Sequence, residues 1–276
     1  MITLAQLVPL VEGALPDIDT NAHITRQRRR VATVPLPHML AAILWFSAAG
    51  ATRWKTYVRL QLPLVLSKHR LSYSRWCFWR AELAGLLQAL AERLCLKAGY
   101  RGLAFADSTA LPVCAISRER DHKCFRGEAD KSKTSCGWFF GYKLHLLASV
   151  TGQVLRFWLT NARPHDNNVF TVPGFLEGIK GMLVADSGYR GEAFMASYAK
   201  QGLAVFARPT GVKEQCLPTP LRRLFRLRWR IETIIGQLKH TFGLANLRFC
   251  CRRPATLKAT VASALIVYTL NWEMTK

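Results

Sequence analysis

A mixed α/β sheet flanked by helices, preceded by a mostly helical region, is the fold class that this 276-residue sequence predicts. Three observations carry it. Residues 1–98 hold long apolar stretches of helical texture. Near Gly99 the apolar runs shorten and turn residues begin to separate them. Beyond residue 160, strand-like and helix-like segments alternate. Hairpin strands followed by alternating helices and strands indicate a mixed sheet with helices on its faces.

The elements follow in chain order. LPHMLAAILWFSAAG (36–50), TRWKTYVRLQLPLVL (52–66) and LSYSRWCFWRAELAGLLQALAERLCL (71–96) read as helices. The pair around Gly50 fits a helix-turn-helix, and equally an ordinary helical bundle with an apolar core and a basic rim. GLAFADST (102–109) is a short apolar run ending in an acid. GWFFGYKLHLLASV (137–150) and GQVLRFWLTN (152–161) read as strands, with Thr151-Gly152 marking a hairpin between them. A helix is expected over 166–178, and a second acid-tipped strand in GMLVADSG (181–188). EAFMASYAKQG (192–202) reads as a helix capped by Gly202, followed by a strand in LAVFARP (203–209). One long basic helix begins near Pro220, and PATLKATVASALIVYTLNWEM (254–274) closes the chain as an apolar helix begun by proline.

Charge narrows the partner. The formal net charge is +22, with 13 Lys+Arg against 5 Asp+Glu in residues 1–100 and 26 against 12 in the remainder. Such an excess, spread along the whole chain, points to a polyanion, above all nucleic acid. The eight cysteines form no CxxC pair and no Cys/His grid of zinc-ligand spacing, and are expected to be reduced. MITLAQLVPLVEGALPDI lacks a basic n-region and is interrupted by Glu12, so it is a poor signal peptide. The longest apolar stretches, around 39–51 and 259–272, are too short and too interrupted to span a bilayer. A cytoplasmic, DNA-associated protein without a membrane anchor is the expectation.

Two aspartates share one context. Asp107 and Asp186 each follow an apolar run, stand between Ala and Ser, and precede a turn. Functional groups in open α/β sheets sit where strands end and the chain leaves the core. Two carboxylates there could hold Mg²⁺, or each could cap the following turn. A third acid is conspicuous by isolation: between Gln215 and Trp272 the single carboxylate is Glu232, inside LRRLFRLRWRIETIIGQLKHTF (221–242). On a continuous helix Phe225, Arg228, Glu232 and Lys239 lie along one stripe. Glu232 is then either the partner of Arg228 in a surface ion pair or a group with a separate task. Asp166, in RPHDNN, rivals Asp186 for a metal-binding role but reads better as a helix cap, while His122, His145 and His165 are too scattered for a metal site.

These residues resemble the DDE transposases of bacterial insertion sequences. Asp107 in ADST, Asp186 in ADSGYRG and Glu232 in RWRIETIIGQLKHTF look like the acidic triad, 79 and then 46 residues apart. The family's signature Tyr-x2-Arg-x3-Glu-x6-Lys is matched by Phe225, Arg228, Glu232 and Lys239, with Phe in place of Tyr. KSKTSCGWFFGYKLHL (131–146) is also similar to the family's second-strand region. The resemblance implies a ribonuclease-H-like catalytic domain over 99–276 and a helical DNA-binding domain over 1–98. It further implies Asp107, Asp186 and Glu232 as ligands of two Mg²⁺ or Mn²⁺ ions, which cut DNA at the element's terminal inverted repeats and join it to target DNA. Joining two ends calls for a homo-oligomer on double-stranded DNA. Phosphate contacts are expected from Arg222, Arg223, Arg226, Arg228, Arg230 and Lys239, from Lys123, Lys131 and Lys133 in a basic loop, and from Arg28, Arg29 and Arg30 in the RQRRR cluster. A metal-dependent nuclease or resolvase without strand transfer, and a DNA-binding protein without catalysis, carry the same features.

Overall fold

The structure is a computed structural model, and it describes residues 2–16, 18–20, 34–66, 71–95, 100–209, 211–212 and 214–275. Arg28, Arg29 and Arg30 lie outside the described residues. Contacts gather the chain into two compact units, one of residues 1–94, 112–128 and 237–276, the other of residues 95–111 and 129–236. The closing helix, grouped by sequence with residues 99–276, belongs by its contacts to the first unit.

The first unit is helical. It contains α1 (Leu4–Ala14), α2 (Leu36–Ala48), α3 (Tyr73–Glu82), α4 (Ala84–Cys95) and the closing helix Pro254–Met274. Met39 to Leu44, Phe46 and Ala48 are all buried, because α2 is apolar around most of its circumference and packs against both α1 and the closing helix. The closing helix starts on Pro254, where a missing N–H leaves no bond unmade, and is buried from Thr256 to Leu270 except at Lys258. The expected helix over 71–96 is divided at Leu83. A π-helical stretch, Tyr57–Gln61, interrupts the segment between Trp54 and Val65.

Arg80 is fully buried in this unit. Its Nη1 donates to the Cys250 carbonyl at 2.9 Å, its Nη2 donates to Thr260 Oγ1 and Cys251 Sγ, and its guanidinium lies 4.4 Å from the Trp54 ring centroid. Burial pushes the Cys251 thiol up, but the hydrogen bond from Cys250 and the Arg80 charge outweigh it and lower its pKa. All eight cysteines are free thiols. Among the described residues no helix is long and apolar enough to cross a membrane.

The second unit is built on a mixed sheet. Its strands are β1 (Arg101–Pro112), β2 (Asp130–Thr134), β3 (Gly137–Ser149), β4 (Val154–Asn161), β5 (Lys180–Ala185) and β6 (Leu203–Ala207). The order is β2-β3-β1-β5-β6, and β4 also pairs with β3. β2 runs antiparallel to the first five residues of β3, and β4 to the remainder, in the hairpin expected around Gly152. β1, β5 and β6 are parallel, with Ala106 opposite Ala185 and Ala185 opposite Ala207.

Glycine sets where β1 and β5 begin to pair. Gly102 faces Gly181, and a Cβ on Gly181 would stand 2.5 Å from the Gly102 carbonyl oxygen, at φ +101°. Side chains would prop the strands apart at this point.

One face of the sheet buries Ala104, Ala106, Leu183, Ala185, Leu203 and Val205 against Val169, Phe170, Phe175 and Tyr189. Phe194, Met195 and Tyr198 of α5 (Glu192–Lys200) pack onto the same cluster. The expected helix over 166–178 is instead a 3₁₀ turn, Asp166–Thr171, followed by irregular chain. Pro173-Gly174 explains the difference: proline disfavours helix at the residue before it, and Gly174 takes φ +85°. The single basic helix is likewise two, α6 (Thr219–Arg226) and α7 (Trp229–His240). Between them Arg228 N–H bonds to the Phe225 carbonyl and Arg230 N–H to that of Leu227, both tightened spans of three residues.

Candidate active site

The in-register parallel strands position the first two acids. Ala106 and Ala185 are the last paired residues of β1 with β5, so Asp107 and Asp186 come next: Asp107 stands inside β1, which runs on to Pro112 where the sequence predicts a turn, and Asp186 is the residue after β5. Both are partly exposed, Asp107 to 20% and Asp186 to 48% of its side chain. Asp107 Oδ1 accepts the Ser108 N–H at 2.8 Å. The two aspartates converge on one cation, the Arg228 guanidinium: Nη2 is 3.3 Å from Asp107 Oδ2 and Nη1 is 3.2 Å from Asp186 Oδ1. Arg228 is only 13% exposed, and its Nε is buried without a hydrogen-bond partner.

Arg228 therefore pairs with the two aspartates and not with Glu232, the surface ion pair that the spacing left open. It sits at the junction of α6 and α7 and turns towards the sheet. Glu232 is exposed, in the first turn of α7. It is near enough for its charge to act on Asp107. Burial pushes the Asp107 carboxyl up from 3.8 to about 6, and the charges of Asp186 and Glu232 add to that. Arg228 and the Ser108 amide pull the other way without overcoming it. A carboxyl in this state gains from any further cation placed beside it.

Behind the acids stands a polar network that the sequence did not reveal. The Tyr189 hydroxyl is buried close to Ser108, the residue after Asp107. It lies 3.5 Å from His145 Nδ1, and His145 Nε2 lies 3.1 Å from Thr160 Oγ1. Burial lowers His145 to about 4, so its imidazole is neutral at physiological pH. Alongside, Lys143 Nζ donates to Asp166 Oδ1 at 3.0 Å and to the Pro164 carbonyl at 2.9 Å. Asp166 is thus a lysine's partner, with His165 in the cap position. A lysine and a histidine alternating on β3, and a tyrosine three residues past Asp186, are the sequence traces of this shell.

The remaining cationic candidates lie in several places. Arg223 and Arg226 are exposed on α6, while Arg222 is half-buried and reaches the Leu217 carbonyl at 3.4 Å. Arg230 is half-buried, its guanidinium 5.0 Å from the Trp229 ring centroid. Lys239 is half-buried in the last turn of α7, and Phe225 half-buried on α6. Lys131 and Lys133 are exposed on β2, and Lys131 Nζ is 5.4 Å from the centroid of the exposed Trp138. Lys123 is exposed in a 3₁₀ turn of the first unit.

The donor chemistry suits a divalent cation in part. Asp107 and Asp186 share one cation already, and hard carboxylate oxygens are what Mg²⁺ and Mn²⁺ select. Among the described residues, no group of three or more His, Cys, Asp or Glu side chains is close enough to hold one metal ion. Glu232 does not join the aspartates in such a group.

Asp107 and Asp186 thus stand where the pairing of two parallel strands ends, on a mixed sheet flanked by helices. The description "Transposase DDE domain" fits residues 97–252, over half of the chain. The chain belongs to the DDE transposase family. No curated protein matches it. A solved structure of a piggyBac transposase, in a synaptic complex with hairpin DNA, is similar over 99% of this chain and 73% of its own, at 8% identity and a TM-score of 0.49.

Proposed function

We propose that the protein is a transposase that binds the ends of a bacterial insertion sequence and catalyses metal-dependent strand cleavage and strand transfer. The observation that carries this reading is the convergence of Asp107 Oδ2 and Asp186 Oδ1 on a single cation, where the pairing of two parallel strands ends. In this reading Asp107, Asp186 and Glu232 hold the divalent ions. Bound there, two such ions supply Lewis-acid stabilisation of the attacking and leaving oxygens.

The chain's own residues then position the DNA. Arg222, Arg223, Arg226 and Arg230 flank the site with positive charge, and Lys131 and Lys133 present more from β2. Water attacks the phosphorus first; the P–O3′ bond breaks, leaving a 3′-OH on the element and a 5′-phosphate on the flank. That hydroxyl attacks a phosphodiester of target DNA, expelling another 3′-OH. No protein nucleophile is needed, so the cysteines, serines and His145 carry no covalent step. The helical segments of residues 1–98 take the role of end recognition, and a homo-oligomer holds two ends together.

Labelled duplexes ending in the element's inverted repeats test the proposal. With Mg²⁺ or Mn²⁺ the parent protein gives both cleaved and joined products. Asp107→Asn, Asp186→Asn and Glu232→Gln each lower the cleavage rate at least a hundredfold while DNA still binds. Cleavage without joined product would identify a nuclease instead, and full-rate cleavage by Glu232→Gln would remove that residue from the site.

A further inference from the structure

An arginine that merely neutralises an acid needs one partner. Arg228 has two, on separate strands, and spends its two terminal nitrogens on them, at 3.2 Å and 3.3 Å, while its Nε is buried and unpartnered. The oxygens it engages, Asp107 Oδ2 and Asp186 Oδ1, belong to the acids that a divalent ion would need. Two carboxylates on adjacent strands repel each other, and this repulsion helps to raise the Asp107 pKa. Arg228 is the group that relieves it.

We propose that Arg228 is a built-in counter-cation that competes with metal: it holds Asp107 and Asp186 together in the DNA-free protein and yields their oxygens when a divalent ion binds. The inference rests on the reading of those aspartates as metal ligands. A guanidinium in contact with the same oxygens repels a doubly charged ion and occupies its ligands. Metal entry therefore requires Arg228 to withdraw, and the apparent metal affinity falls by the fraction of protein in which it has done so. A withdrawn guanidinium is a free two-pronged donor, and phosphate is the anion that its fork fits. DNA phosphate and metal each favour the withdrawn state, so each strengthens the binding of the other by the same factor. Without DNA the site therefore binds metal more weakly than with it.

Mn²⁺ binding to the full chain, followed by the electron paramagnetic resonance signal of the free ion, tests this without any turnover. Without DNA, Arg228→Gln binds Mn²⁺ roughly tenfold more tightly than the parent, if the bridged form outnumbers the withdrawn form about ten to one. Arg228→Lys, which keeps the charge but cannot bridge both carboxylates, lies between them and serves should the glutamine variant fold poorly. A short DNA duplex tightens Mn²⁺ binding to the parent by several-fold and changes it little in Arg228→Gln. Equal or weaker Mn²⁺ binding by both variants overturns the proposal. Parent binding that survives both Asp107→Asn and Asp186→Asn overturns the metal-ligand reading as well. Parent binding lost in those variants, with no gain at Arg228, overturns this inference alone.

Discussion

Asp107 concentrates the electrostatics of the site in one carboxyl. Its proton is held up to about pH 6, first by burial and then by the charges of Asp186 and Glu232. The native state therefore retains a proton between about pH 4 and 6 that the unfolded chain, at an ordinary 3.8, has released. The stabilisation this brings is complete below the unfolded value and is lost as pH rises through about 6. At pH 7 the metal-free protein carries an ionised, partly desolvated carboxylate, a penalty of up to about 3 kcal/mol on the scale of 1.36 kcal/mol per pH unit. Asp107→Asn is a permanent copy of the protonated state. Urea unfolding should show it more stable than the parent at pH 7, with the gap closing towards pH 4. A gap independent of pH would mean that Asp107 is not the group under strain.

The apolar runs and the acids that follow them were legible because each is a local signal, an apolar run and then Ala-Asp-Ser; the turn expected after Asp107 is absent, because β1 continues to Pro112. What the sequence left open is pairing, since nothing local to residues 101–107 states which strand lies beside them. The Gly102–Gly181 contact answers that question physically, by letting β1 and β5 approach where each begins. Gly181→Ala should therefore act on the whole element. The new methyl meets the Gly102 backbone at a φ that favours glycine, and strain of this kind is worth on the order of 1–3 kcal/mol. Urea unfolding is expected to show that loss with an unchanged m-value, accompanied by lower cleavage from displacement of Asp107 against Asp186. Unaltered stability would show that the contact is not a constraint. The basic helix was misjudged for the converse reason. Spacing places Arg228 one helical turn before Glu232, and the Glu232 N–H does bond to the Arg228 carbonyl, but spacing cannot show that the Arg228 side chain turns to Asp107 and Asp186, which are distant in sequence. The Tyr189–His145–Thr160 shell stayed hidden for the same reason, its members lying on three segments that meet only in the folded sheet.

At the scale of the molecule, the charge of +22 was legible at once and its use was not. Inside the site Arg228 is spent on carboxylates, so its charge is internally balanced in the DNA-free protein. Arg223 and Arg226 on α6, and Lys131 and Lys133 on β2, are exposed at the surface. Exposed cations of this kind bind DNA by displacing condensed counterions, and the logarithm of affinity then falls with the logarithm of salt at about 0.9 per phosphate neutralised. If about 6–10 phosphates are met, affinity for a duplex drops by roughly a thousandfold to a hundred-thousandfold between 50 and 200 mM salt. Arg223→Gln combined with Arg226→Gln should flatten that slope by about two and weaken binding alike on all sequences. A slope left unchanged by the double substitution would move the DNA away from α6. A loss confined to one sequence would make those arginines readers of bases, although their exposure on a short helix rich in like charge is the arrangement that suits the backbone, where every sequence offers the same phosphates.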